Sequence, residues 1–277
     1  MTVPSLKMNT GAEMPQIGFG LWRNGNKQEC IDSIKFALKA GYTHFDDAQV
    51  YDNEEFLGEA LKEAGVDRSK LFITTKIASN SNGNNNQSED KLLPSFEESL
   101  QKLQMDYVDL LLLHFPATQT RREAWPIMEE IYASGRAKAI GVSNYTVRHL
   151  EELLASCKVK PVANQVELSV VLQQPELVEY CKQNDIIVQA YTPLAEGHFF
   201  EDEILVNIAK KHSKSVPQIM LRWCIDYGVV ALTKSTHENR IKENLDIFDF
   251  SLDQDDMAKL KGLDQDHRTN WDPTNVE

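Results

Sequence analysis

Cysteine is scarce in this chain, with four among 277 residues. Cys30, Cys157, Cys181 and Cys224 are widely scattered and none sits in a C-x-x-C, so neither a disulfide framework nor a zinc site is expected. A reducing cytoplasm is the simplest home for such a chain. Positive charge is also short: 29 Lys and Arg stand against 42 Asp and Glu, a net charge of −13. That excludes general nucleic-acid binding, which needs a basic footprint, and adhesion to anionic membranes. No apolar run approaches the roughly 18 to 20 residues of a spanning helix. The first 15 residues carry no apolar signal core. The histidines, at 44, 114, 149, 198, 212, 237 and 267, show no H-E-x-x-H or paired spacing, so no metal is expected. No G-x-S-x-G elbow and no G-x-x-x-x-G-K-[ST] loop is present. Gly18-Phe19-Gly20-Leu21-Trp22-Arg23 starts like G-x-G-x-x-G, but Arg23 holds the third glycine position. The dinucleotide fingerprint fails, which weakens a doubly wound sheet.

What is present is ordinary globular composition, 42% hydrophobic and 26% charged, in a chain long enough to bury a substantial core. Short apolar runs at 16–21, 43–46, 71–76, 108–114, 137–143, 162–167, 186–191 and 229–234 alternate with helix-period segments. Helical stripes run through Ile31, Ile34 and Leu38; through Leu93, Phe96, Leu100 and Leu103; through Val147, Leu150 and Leu154; and through Ile204, Leu205 and Ile208. Runs such as DLLLLH are apolar on both faces and read as buried parallel strands. Eight strands with intervening helices in about 250 residues predict a (β/α)₈ TIM barrel, with residues 1–277 as one domain. Residues 5–15, centred on Asn9-Thr10-Gly11, predict an N-terminal β-hairpin able to plug the barrel bottom. The polar, Asn-rich stretch 79–90 reads as a mobile loop. Two helical segments, 201–212 and 216–227, separate the seventh and eighth strands.

In a barrel of this kind, chemistry gathers at the C-terminal ends of the strands. Asp46 closes one strand, with Tyr51 five residues on; Lys76 closes the next and His114 the third. Each has an ordinary reading. An Asp there is often a cap, a loop Tyr a packing residue, a strand-end Lys solvated, and a lone His structural. A strand-end Lys can also form a Schiff base. A set at successive strand ends is far more specific than any member, and Asp46 is the natural counter-ion for Lys76. After the last strand, Ser235 and Glu238 fit a capping box. A helix N-terminus flanked by Lys234 and Arg240 also suits a phosphate, at the usual barrel location.

Taken together, these residues resemble the aldo-keto reductase superfamily. The likeness runs from IGFGLW to the WDP near the C-terminus. GYTHFDDAQVYDNEEFLGEAL resembles the family's first signature, placing Asp46 and Tyr51 on its catalytic Asp and Tyr. Lys76 in FITTK matches the catalytic Lys, and His114 in DYVDLLLLHFP the catalytic His. GVSNY resembles the segment that holds the nicotinamide amide, which implies Ser143 and Asn144 as ligands. Gln165 in ANQVEL matches a further nicotinamide ligand, and Tyr191 in AYTPL the stacked aromatic. TKSTHENRIKEN resembles the adenosine-phosphate site, implying Lys234, Ser235, Thr236, Arg240, Glu243 and Asn244. The sequence departs at Asp47 (usually Thr or Ser), Asp52 (usually Gly), Ala78 and Phe115 (often Trp) and Ser169 (commonly His). Asp47 is thus a possible competitor for Lys76.

The resemblance implies reduction of aldehydes and ketones by hydride from NADPH, with Tyr51 as general acid. Lys76 beside it would lower the phenol pKa, Asp46 would hold Lys76, and His114 would orient the carbonyl. Lys234 and Arg240 favour NADPH over NADH, because both could pair with its extra phosphate. Trp22, Phe115 and Trp271 are pocket candidates, although Trp22 is equally a packing residue. Short loops imply an open pocket for small carbonyls, and the resemblance implies a monomer. Two alternatives stay open: a Schiff-base barrel aldolase using Lys76, and a non-enzymatic NADPH-binding protein.

Overall fold

A computed structural model describes residues 3–78 and 86–277. Most of the loop expected over 79–90 lies outside them; residues 86–90 form turns.

The chain begins with the expected hairpin, β1 (Ser5–Lys7) and β2 (Glu13–Pro15), paired antiparallel. Gly11 takes φ 88° in its turn, where a Cβ would be strained. Met8 and Met14 are buried against Phe72, Leu110, Leu112, Val162 and Val230. The hairpin therefore closes the barrel bottom with apolar side chains.

Eight strands then form a closed parallel barrel. They are β3 (Ile17–Gly20), β4 (His44–Asp46), β5 (Phe72–Ile77), β6 (Leu110–Leu113), β7 (Ile140–Ser143), β8 (Ala163–Glu167), β9 (Ile187–Tyr191) and β10 (Val230–Thr233). Each expected apolar run coincides with one of them, β5 alone extending one residue past its run, to Ile77. Side chains alternate between the two faces. Leu110 and Leu112 join the inner cluster, while Leu111 and Leu113 join the core beneath the helices. The same alternation turns Phe72, Thr74 and Lys76 inward in ascending layers, so Lys76 arrives at the top of the interior. Gly18 faces the packed interior: a Cβ there would meet Leu232 Cδ2 at 2.7 Å and the His44 ring at 3.0 Å. Its role is close packing.

The helices are α1 (Lys27–Ala40), α2 (Glu54–Ala64), α3 (Leu92–Leu103), α4 (Arg121–Ala133), α5 (Val147–Leu154), α6 (Pro175–Gln183), α7 (Glu203–His212), α8 (Val216–Asp226), α9 (Glu238–Leu245) and α10 (Gln254–Lys261). Asn26 caps α1 by accepting from the Glu29 N–H, and Gly41 ends it. The predicted stripes face inward, with Leu38, Val147 and Leu154 half-buried at their edges. Leu92 is buried where Leu93 is half-buried, and Ile204 is 36% exposed while Leu205 and Ile208 are buried. Among the described residues no helix is long and apolar enough to cross a membrane. All four cysteines are free thiols. Beyond α10 the chain returns over the barrel top: buried Glu167 accepts from the Thr269 and Asn270 N–H groups at 2.7 and 3.1 Å.

Candidate active site

The ends of three successive strands, β4, β5 and β6, bring the predicted set together. Lys76 is fully buried and has three protons, and each has an acceptor. Its Nζ donates to Asp46 Oδ1 at 2.6 Å, to the Asp47 carbonyl at 2.8 Å and to Tyr51 Oη at 3.2 Å. Since Lys76 occupies an acceptor position on the phenol oxygen, the phenol's own proton points elsewhere. Tyr51 sits on a single 3-10 turn, Gln49–Tyr51, that ends at Asp52 with φ 54°. A left-handed residue there explains why Gly is usual; Asp is among the L-residues that tolerate it. Asn53 fixes the turn by donating to the Leu21 and Asn24 carbonyls.

Burial would lower the Lys76 pKa, but Asp46 and Tyr51 outweigh it and hold the ammonium above its usual value. Burial pushes Tyr51 up to about 12, with Lys76 pulling the other way. The expected lowering by Lys76 is therefore real but smaller than the desolvation of a phenolate. Burial and then the Lys76 charge hold His114 well below the ordinary imidazole value, so it is neutral. Its Nδ1 has no partner among the described residues.

Asp47 does not compete for Lys76 with its carboxylate. It reaches the ammonium through its backbone carbonyl, while its Oδ1 accepts from the Ala48 N–H at 2.8 Å. Its Oδ2 is buried without a partner among the described residues. Burial and the nearby Glu54 charge raise its pKa well above the carboxylate range.

These groups open into a cavity of about 790 Å³. One wall is a run of aromatic contacts. Trp22 lies 4.9 Å from Tyr51, Tyr51 5.7 Å from His114, His114 stacks on Phe115 at 4.4 Å, and Phe115 meets Trp271 edge-on at 5.3 Å. Trp22 thus lines the cavity, and Trp271 docks at its mouth. Ser143, Asn144, Gln165 and Tyr191 line it above β7, β8 and β9, and Lys234, Ser235, Arg240, Glu243 and Asn244 line it after β10. Two expected members do not line it: Lys76, which lies behind Tyr51, and Thr236. The lining above β7, β8 and β9 is tightly bonded. The Tyr191 hydroxyl donates to Asn144 Oδ1 at 2.8 Å, and Asn144 Nδ2 donates to the His114 carbonyl at 3.0 Å. Asn144 is left-handed, φ 64°.

The segment after β10 corrects one expectation. Helix α9 is N-capped by His237 without a side-chain bond, so Ser235 and Glu238 form no capping box. Ser235 Oγ instead accepts from the His237 N–H, two residues on, and Glu238 is drawn off by Lys39 at 2.8 Å. Lys234 and Arg240 are exposed. Among the described residues no carboxylate pairs with either. Every other arginine has an acid or a backbone carbonyl as partner. Two free cations beside a groove in a chain of net charge −13 fit a polyanion.

Sequence reasoning missed the ion pair between Arg23 and Glu196, 3.2 Å apart, both of which line the cavity. Nothing local signals a pair 173 residues apart. It also missed Glu167 and Gln189, polar residues inside apolar strands. Their inward register, two residues from Gln165 and Tyr191 respectively, was the available signal.

The aldo/keto reductase family model matches residues 16–265. The chain is 45% identical over 269 residues to a glyoxal reductase of Bacillus subtilis, covering 97% of this chain and 96% of that one. It is 40% identical over 272 residues to the methylglyoxal reductase DkgA of Escherichia coli K12, covering 97% and 96%. Among solved structures it is similar to an aldo-keto reductase from a deep-sea metagenome library, with TM-score 0.94 and 38% identity over 99% of this chain and 100% of that one. It is also similar to a Bombyx mori aldo-keto reductase in complex with NADP, with TM-score 0.89 and 33% identity over 97% and 95%.

Proposed function

Since the chain belongs to the aldo/keto reductase family, we propose that it reduces small aldehydes and ketones to alcohols with NADPH, reactive dicarbonyls of the glyoxal type among them. The carrying observation is the proton arrangement at Lys76. Its three N–H groups are all committed, one of them to the Tyr51 oxygen. The phenol proton is left for the cavity. The family's cofactor fits the groove: Lys234 and Arg240, which line it, have no carboxylate partner among the described residues, and Asn144 and Gln165 line it too.

When bound, the nicotinamide supplies a hydride to the carbonyl carbon. Neutral His114 donates a hydrogen bond to the carbonyl oxygen and orients it. Tyr51 gives its proton to the oxygen as negative charge develops there. An alkoxide is a stronger base than a phenolate, even one whose acid has been pushed up to about 12, so the transfer is downhill. Lys76 then stabilises the phenolate, and Asp46 keeps Lys76 charged and in place. The aromatic wall excludes water. The Lys234 and Arg240 cations would pair with the adenosine phosphate that distinguishes NADPH from NADH. The site is complete within one chain, which supports a monomer, and the four free thiols support a reducing cytoplasm.

The aldolase alternative needs an accessible neutral amine. Lys76 is 0% exposed, ion-paired and outside the cavity lining. A passive NADPH-binding protein has no use for the complete buried set. Nicotinamide absorbance followed with a panel of aldehydes, ketones and dicarbonyls tests the proposal. Tyr51→Phe should bind NADPH normally and lose reduction by about 100- to 10,000-fold, the usual range for a general acid. Near-normal turnover in that variant removes Tyr51 from the chemistry.

A further inference from the structure

Gln189 lies in β9 with no exposed surface and does not line the cavity. Its side chain nevertheless reaches the site through one neighbour. Gln165 uses both amide protons: Nε2 donates to Asp46 Oδ2 at 2.7 Å and to Gln189 Oε1 at 3.0 Å. Gln189 in turn directs its own Nε2 at the sulfur of Met14, 3.2 Å away on the hairpin that plugs the barrel.

The chemistry of the two ends leaves these amides one orientation. A carboxylate only accepts, so the Gln165 nitrogen faces Asp46. A thioether only accepts, so the Gln189 nitrogen faces Met14 and its oxygen faces Gln165. With both N–H groups held in the interior, Gln165 has its carbonyl oxygen left to present to the cavity it lines. That oxygen can take a proton only from a donor such as a primary amide.

We propose that Gln189 is a positioning residue: it locks the Gln165 amide so that its oxygen faces the cavity and selects a cofactor ring bearing a primary carboxamide. This rests on the NADPH reading above. Without Gln189, one buried Gln165 N–H loses its acceptor, and turning the amide to satisfy it moves the oxygen away. Met14 contributes at one remove, by keeping Gln189 from flipping. The barrel plug and the redox site are thereby joined through side chains alone.

The test compares binding of NADPH with binding of the reduced 3-acetylpyridine analogue, whose acetyl group lacks the N–H, by calorimetry on the full chain. The wild type should prefer NADPH, and Gln189→Leu should reduce that preference about tenfold, the worth of one hydrogen bond. Gln189→Glu keeps an acceptor for Gln165 and should retain the preference. A purely structural role predicts the reverse order, since a buried charge disturbs packing more than Leu does. If Gln189→Leu does not fold, Met14→Leu should still weaken the preference measurably. A wild type that binds NADPH but does not distinguish the analogue overturns the inference alone. So does an unchanged preference in Gln189→Leu or, failing its folding, in Met14→Leu. A wild type that binds neither overturns the cofactor reading with it.

Discussion

The two ends of the barrel solve the same geometric problem differently. At the bottom, turns leading into strands take left-handed backbone mostly at glycine: Gly41, Gly65, Gly135 and Gly228 have φ between 63° and 110°. Gln104 and Asp185 are the exceptions there. At the top, most left-handed positions carry side chains: Arg23, Asp52, Asn144, Gln174, Thr192, Ala195 and Glu196, with φ between 45° and 64°, and Gly197 in the cavity wall is the exception. Such a conformation costs about 1 kcal/mol or more for a non-glycine residue. The bottom needs only a change of direction, and its interior is filled by Met8, Met14 and their apolar neighbours. The top needs the side chains: Asn144 bonds Tyr191 and His114, and Arg23 meets Glu196. The orphaned His114 Nδ1 and Asp47 Oδ2 lie at the same end. Strained side-chain-bearing positions therefore gather where the cavity is, and the bottom is closed by apolar packing, although Arg68 Nε is also buried there without a partner among the described residues.

The largest test of that division is Lys76→Met. It should lower turnover about a thousandfold, as expected for loss of a group that supports proton transfer. Loss of folding comparable to that of a core deletion, with residual activity intact, would break the comparison. Next comes the charge pair Lys234→Ala with Arg240→Ala. The double variant should lose about 10- to 100-fold in its preference for NADPH over NADH, and the salt dependence of NADPH binding should weaken with it. An unchanged preference assigns the adenosine phosphate elsewhere. A matched pair then addresses strain directly. Asn144→Gly should lower turnover about tenfold with little change in Tm, because glycine relieves the left-handed backbone that the lost bonds no longer need. Gly41→Ala should do the opposite, costing about 1–2 kcal/mol by denaturant unfolding and leaving kcat/KM unchanged. If both variants shift kinetics equally, the two ends are not separable.

The barrel was legible because most strands sit in short apolar runs bounded by polar residues, so DLLLLH and FITTK mark themselves. The site was legible for a related reason: Lys76 and Asp46 stand where an apolar run ends. What failed to read was whatever depends on partners far along the chain. Ser235-x-x-Glu238 has a capping-box spacing, yet Lys39 on α1 takes the Glu238 carboxylate. Gln189 looks like an incidental polar residue in IIVQAY until Gln165 on the next strand is set beside it. Lys76 was expected to lower the Tyr51 pKa, and only the depth of burial shows which effect wins.

The smallest effect concerns Asp47, the departure least suited to its surroundings. In the folded chain burial and then Glu54 hold its carboxyl protonated well above the ordinary range, whereas in the unfolded chain it ionises normally. The unfolded state therefore binds fewer protons over that interval, and stability falls as pH rises through it. Below the ordinary carboxylate range both states are protonated and the penalty vanishes. Asp47→Asn removes the ionisation, keeps an oxygen for the Ala48 N–H and leaves intact the backbone carbonyl that holds Lys76. The Tm difference between variant and wild type should be near zero at about pH 4 and grow to about 2 °C by about pH 7, with kcat unchanged. A gain that shrinks as pH rises would mean that Asp47 is ionised and stabilised in place. The top of the barrel would then hold a paired charge where the structure shows an unpaired acid.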